Sequence, residues 1–459
     1  MEGEKKIRLP ARASVFYGAA IILSKAIGIL TTPIFTRAMS PEEYGAYSYY
    51  ISFVGIVSMV SGVFLSPALF YSGLGKFSDN RRGFSDLAVW LSTAANLLIC
   101  IVLFTFSSFF SLDRRLVPII LLQGFVDNII NAELLRYKFF YGYTRVILIN
   151  ISSALLSSGI SVFLVCSLGM GAMGRIFGIV AAGLIISLVI TFSRKERGAF
   201  EPTQRKFLIK NALPLIPAVI ARASVGWADK LIIKAELGVD ALAKYSVAHT
   251  VGLGLFALIG ALCSALNPWL VRKLRANQRE ATIPVIGELS SVIAWGSLFI
   301  VALAPEIFSF LAPKSYMDAL YVIPIMALSA APYFLFNMAS VFISYGERTK
   351  IISLCATAGA AINLAANLIL IPRIGYTGAA ISYLLSEVAM YLISHRAIAK
   401  WEGREAVARW ARGMLLPLIF SAVFALLYGN AAVRIFLLII PACQVIRSGF
   451  ICLGLAREK

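Results

Sequence analysis

The stretch 36–48, TRAMSPEEYGAYS, is a polar interruption between two long apolar runs. Ser40 is a helix-capping residue, Pro41 suits the first helical position, and Glu43 stands three residues after Ser40. The segment therefore carries a capping box, with acidic side chains at the positive end of the helix dipole. A new helix is expected to begin near residue 41. Upstream, residues 13–36 are a run of 24 mostly apolar residues, and downstream the apolar character continues to Phe70. At 1.5 Å per residue, either run exceeds the roughly 20 residues needed to cross the hydrocarbon of a bilayer. The polar knot reads as a short turn between membrane spans.

The bulk composition agrees. With 59% hydrophobic residues, 14% charged residues and a mean hydropathy of +0.83, a soluble fold would be covered in exposed apolar surface. The expected fold class is all-α, a polytopic membrane protein of about 14 transmembrane helices. They are placed near 13–36, 44–70, 84–110, 115–135, 144–168, 172–193, 213–233, 240–270, 283–311, 318–345, 350–371, 377–399, 414–430 and 432–453. The last pair is the weakest by pattern, since one member is short and Arg434 and Arg447 interrupt the other. The first run is too long for a signal peptide and is read as a retained first helix.

A net charge of +19 invites a nucleic-acid reading until its distribution is examined. With the N-terminus in the cytoplasm, 29 of the 42 Lys and Arg residues fall in cytoplasmic tails and loops and 9 on the opposite side. That alternation is a strong positive-inside pattern; it places both termini inside and leaves no need for a nucleic-acid partner. The six cysteines all fall within expected spans and include no CxxC pair, so neither a disulfide framework nor a zinc site is suggested.

The opening stretch has an echo in KAELGVDALAKYS, 234–246, where Tyr47-Ser48 recurs as Tyr245-Ser246. Arg37 corresponds to Lys234 and Lys25 to Arg222, both at a spacing of 197. Ser66-Pro67 matches Asn267-Pro268, and Gly169 matches Gly375. Two halves of six helices are implied; an even number per half inserts both the same way up, about an axis along the membrane normal. The expected organisation is a six-helix bundle over 1–193, a cytoplasmic linker over 194–212 that is part amphipathic, a second six-helix bundle over 213–400, and two additional helices over 401–459.

The turn TRAMSPEEYGAYS, the glycine-bearing turn IPRIGYTGAA at 371–380 and the two six-helix halves resemble the polysaccharide or oligosaccharide flippases of the MOP exporter superfamily, relatives of MATE transporters and lipid II flippases. The resemblance covers nearly the whole chain. It implies two bundles in a V around a central cavity, alternating access, and a substrate made of an oligosaccharide on undecaprenyl diphosphate. It also implies the bacterial cytoplasmic (inner) membrane, contact with membrane lipid, and polysaccharide polymerase and chain-length proteins as partners.

A Lys or Arg at the bilayer centre costs roughly 2.5–3.5 kcal/mol on insertion scales, so such residues line a cavity or pair with a partner. Lys25 lies near the middle of the first span, too deep for its stem to carry the ammonium to either interface. Arg222 holds the equivalent place in the seventh span. Together they are candidate substrate-binding residues for a diphosphate, Arg offering its fork to phosphate oxygens. The competing reading is a structural ion pair with Asp127, Asp229 or Glu387. Asp127 and Asn128, with Asn131 and Glu133, make the fourth span the most polar; they are candidates to line the sugar-facing cavity or accept a proton, or else to join helices.

Asp229 follows Arg222 by two helical turns on the same face. Asn363 and Asn367 share a face of the eleventh span and offer carbonyl oxygens. Asp229, Asn363 and Asn367 are thus a candidate cation-coupling or metal site for sodium, a hard ion that takes oxygen ligands; polar contacts between helices are the alternative. No other cofactor is expected, with sodium or a proton as the coupling ion. Lys230 is expected to snorkel outward, and His249 to pack as a neutral imidazole.

Three function classes compete. A lipid-linked oligosaccharide flippase fits the buried cations, and a lipid II flippase differs from it in substrate alone. A MATE-type cation or drug antiporter calls for carboxylates where the first span offers Lys25. An integral membrane enzyme needs a sizeable outer loop with catalytic groups, and neither is visible, so no catalytic residue is assigned.

Overall fold

The computed structural model describes residues 20, 22–193, 198–278, 280–346, 348–402 and 415–457. Residues 13–19 of the expected first span, 194–197 of the linker and 403–414 of the C-terminal extension lie outside the described residues. Every regular element among the described residues is helical. The chain divides into two compact units, Met1–Leu231 and Ile232–Lys459.

In the first unit, α1 (22–38) leads into α2 (Pro41–Ser61) through the polar knot. The expected capping box is formed: Glu43 N–H donates to Ser40 Oγ at 3.2 Å, and Ser40 N–H donates to a Glu43 carboxylate oxygen at 2.9 Å. After a short 3-10 turn come α3 (Pro67–Lys76), α4 (Arg81–Thr105), α5 (Val117–Phe139), α6 (Tyr143–Val162) and α7 (Gly171–Phe192). Between α6 and α7 the chain reverses through a π-turn and Gly169, whose φ of 63° belongs to the left-handed region that favours glycine.

The linker helix α8 (Pro202–Ala212) packs on the end of this bundle formed by α3 and α4. Leu208 and Ala212 are fully buried beside Phe70, Leu74 and Phe84, with Phe207 edge-on to Phe77. Asn80 ties the approach. Its Oδ1 caps α4 at Gly83 N–H, and its amide donates to the Ala199 carbonyl at 2.8 Å and to Glu201 at 2.7 Å.

Helix α9 (Ile216–Arg275) consists of two helical segments that meet at a kink at Gly238, where φ is 88° and ψ 177°. The kink stands where the sequence placed the echo of the first turn. One half breaks its helix with a capping box, the other with a residue that alone tolerates this backbone. The division between the two units falls within α9, so residues 216–231 belong with the N-terminal unit.

The second unit continues with α10 (Thr282–Ala302), α11 (Ala304–Leu311), α12 (Val322–Leu328), α13 (Ala330–Tyr345), α14 (Thr349–Ile374) and α15 (Tyr376–Glu402). Helices α14 and α15 turn at Gly375, whose φ of 70° matches that of Gly169 in the first half. They then pack tightly: a methyl group at Gly378 would lie 2.7 Å from the Leu370 carbonyl carbon. Helices α16 (Leu415–Leu426), α17 (Ala431–Leu437) and α18 (Ile439–Arg457) close the chain, with α16 and α18 against α10. Arg434, 2% exposed, grips Glu306 with both terminal nitrogens, at 3.1 and 2.7 Å, and also donates to the Ala302 carbonyl.

Among the described residues, 11 helical stretches are long and apolar enough to span a membrane, against the 14 expected. The difference has three sources. The first span is described only in part, the seventh and eighth merge across Gly238, and α16 has 12 residues.

Candidate functional site

The sequence-derived residues Lys25, Arg222, Asp229, Asp127 and Asn128 all lie in the N-terminal unit, whereas Asn363 and Asn367 lie in the C-terminal one. Lys25 on α1 and Arg222 on α9 both have exposed side chains. Neither is sealed in a packed core.

Within about two helical turns beyond Arg222, α9 presents Trp227, Asp229 and Lys230. Trp227 fits against α2 at Gly55, where an added methyl group would collide with the indole ring. The close approach explains a glycine in the middle of an apolar helix. The Lys230 ammonium lies 4.7 Å from the centre of the Trp227 ring, and the residue is 6% exposed. The expected outward snorkel of Lys230 is therefore corrected. Residues three apart share a helix face, so the stem folds back over the ring beneath it. Asp229 is 3% exposed, and its Oδ1 accepts the Lys230 backbone N–H at 2.8 Å. Lys25 stands within electrostatic reach of Lys230. The N-terminal unit thus gathers at least two cations around α1 and the first part of α9.

A second polar group runs between α2, α4 and α5. The Ser58 hydroxyl donates to Asp127 Oδ2 at 3.4 Å, and the Tyr50 hydroxyl to Gln123 Oε1 at 2.6 Å. Asn96 donates to the Leu121 carbonyl at 3.0 Å and fills the space left by Gly124. Asn128 is 2% exposed, and its amide nitrogen has no hydrogen-bond partner. Glu133 is held by Arg136 one turn on, at 2.5 and 3.1 Å, which gives it an ion-pairing role at the end of α5.

In the C-terminal unit, Asn367 Nδ2 donates to Asn363 Oδ1 at 3.1 Å, with both side chains buried. Asn367 Oδ1 and Asn363 Nδ2 have no partner. His249 is buried with its ring 5.3 Å from that of Tyr245, as expected of a packed imidazole. Tyr50, Ser58 and Trp227 were not singled out in the sequence. Their one local signal was the spacing of Trp227 to Lys230, and the rest needs the tertiary neighbour.

Comparison with known proteins adds the following. A sequence model of the family described as polysaccharide biosynthesis protein matches residues 11–274. No curated protein sequence matches the chain. Among solved structures, the lipid II flippase MurJ in an inward closed conformation superposes with a TM-score of 0.70 at 14% identity, over 95% of this chain and 98% of that one. An inward-facing multidrug resistance MATE family transporter of the MOP superfamily gives 0.65 at 12% identity, over 87% and 99%. A MOP superfamily transporter from Pyrococcus furiosus, reported with a reversed polarity of its binding pocket, gives 0.61 at 13% identity, over 88% and 97%. At such identities the likeness is one of fold.

Proposed function

Because the chain belongs to the polysaccharide biosynthesis protein family, we propose that it is a flippase that moves an undecaprenyl-diphosphate-linked oligosaccharide, the repeat unit of a cell-surface polysaccharide, across a bacterial cytoplasmic membrane. The supporting observation is the pair of exposed cations, Lys25 on α1 and Arg222 on α9, with Lys230 close to Lys25. A diphosphate neutralises the repulsion that such a cluster otherwise suffers, and the Arg222 fork suits its paired oxygens.

In this reading, Lys25 and Arg222 bind the diphosphate and Trp227 holds Lys230 in place behind them. Ser58, Asp127 and Asn128 offer donors and acceptors to glycan hydroxyls, and the prenyl chain stays in lipid. Both termini are cytoplasmic, loading is from the cytoplasmic leaflet, and transport proceeds by alternating access. For coupling we propose sodium, with a proton as the alternative ion. Asn367 Oδ1 is a buried carbonyl oxygen without a partner, the ligand type that sodium takes.

The test is reconstitution into proteoliposomes with three labelled cargoes: an undecaprenyl-diphosphate-linked oligosaccharide, lipid II and an organic cation. The proposal expects translocation of the first in preference to the others. Preference for lipid II would reassign the glycan, and transport of the cation alone would overturn the proposal.

A further inference from the structure

The turn joining α5 to α6 contains a cavity of about 490 Å³ lined by Arg136, Tyr137, Phe140, Tyr141, Thr144 and Arg145. Its charge is basic and its walls are aromatic. The guanidinium carbons of Arg136 and Arg145 lie 5.3 and 5.0 Å from the centre of the Tyr137 ring, and Arg145 also donates to the Tyr137 hydroxyl at 3.4 Å. A third guanidinium, that of Arg81, stacks on Phe140 at 5.5 Å while its Nε is fixed on the Leu74 carbonyl at 3.0 Å. Arg136 is paired with Glu133 at 2.5 Å. Arg145 lines the cavity and Arg81 stands beside its Phe140 wall, so both add positive charge there.

The backbone holds the shape open. Tyr141 adopts φ of 56°, in the left-handed region that a non-glycine residue rarely takes. It is secured by Gly142 N–H on the Tyr137 carbonyl at 2.8 Å. Phe140 and Tyr141 are half exposed, at 50% and 49%. Aromatic rings with basic groups at the end of a membrane helix sit at the level of lipid headgroups.

We propose that this cavity is a binding site for the phosphate of a membrane lipid, separate from the Lys25–Arg222 site. Arginines oriented on an aromatic ring are pre-organised donors for phosphate oxygens, and an anionic headgroup supplies the charge that the cavity lacks. The inference needs the multi-pass architecture alone and stands whether or not the chain transports a glycan. The same chemistry is offered by an anionic phospholipid and by a polyprenyl diphosphate waiting to be loaded.

The test is native mass spectrometry of the full-length protein titrated with phosphatidylglycerol, phosphatidylcholine or undecaprenyl diphosphate. The last arm is run in a Lys25→Ala/Arg222→Ala background, so that the other site does not contribute. Arg145→Gln is expected to weaken retention of an anionic lipid roughly tenfold, with Arg145→Lys intermediate and phosphatidylcholine unaffected. A loss confined to phosphatidylglycerol assigns the site to bulk lipid, and one confined to undecaprenyl diphosphate assigns it to the carrier. Equal retention by wild type and Arg145→Gln, or an equal loss of phosphatidylcholine, would overturn the proposal.

Discussion

Lys230 rests its ammonium 4.7 Å from the centre of the Trp227 ring, and that ring is seated on Gly55 of α2. A cation buried in this way has its position set by packing at a residue that never touches it. The relationship links the break-free apolar run of α2 to the charged face of α9.

Substitution at Gly55 therefore acts through Trp227. Gly55→Ala is expected to destabilise the purified protein by about 1–3 kcal/mol through overpacking and to reduce transport. The smaller ring of Trp227→Phe in the same chain should recover part of both. Thermal unfolding in detergent reads the first effect, and an unchanged melting temperature for Gly55→Ala would show that the contact is not tight.

Arg434 fastens α17 to α11 through Glu306 and to the end of α10 through the Ala302 carbonyl. Loss of charged hydrogen bonds of this kind costs about 1.5–3 kcal/mol. Arg434→Ala should lower stability by that order, and Glu306→Gln by less, since the Glu306 side chain is 47% exposed. Limited proteolysis of the C-terminal helices would report the loosening.

If sodium drives the cycle, uptake into proteoliposomes should rise with a sodium gradient, and Asp229→Asn should flatten that dependence. Asn367→Leu should do the same without altering insertion. Transport indifferent to sodium and responsive to pH would move the coupling to protons.

Much of the fold was legible because its signals are local. Ser40 and Glu43 announce the start of α2 within four residues, and the capping box forms as written. Gly169 and Gly375 mark equivalent turns, and both adopt a positive φ. The charged site was legible only in part. Mid-span Lys25 and Arg222 stand out against apolar neighbours, but the burial of Lys230 depends on a tryptophan held by a glycine from a distant helix. Hydrophobic periodicity carries no record of that contact. The Tyr50–Gln123 and Ser58–Asp127 bonds were hidden for the same reason, each joining α2 to α5. In the part-amphipathic linker helix α8, Leu208 and Ala212 are the face buried against α3 and α4. Its apolar residues carry no label saying which surface they cover.

Whether Lys25 and Arg222 hold the diphosphate is read from the translocation rate of an undecaprenyl-diphosphate-linked oligosaccharide in proteoliposomes containing wild type, Lys25→Ala, Arg222→Ala or Arg222→Lys at matched insertion. Each alanine variant should lose on the order of tenfold to a hundredfold in rate, with Arg222→Lys between them and wild type. Rates equal to wild type in both alanine variants would contradict the account.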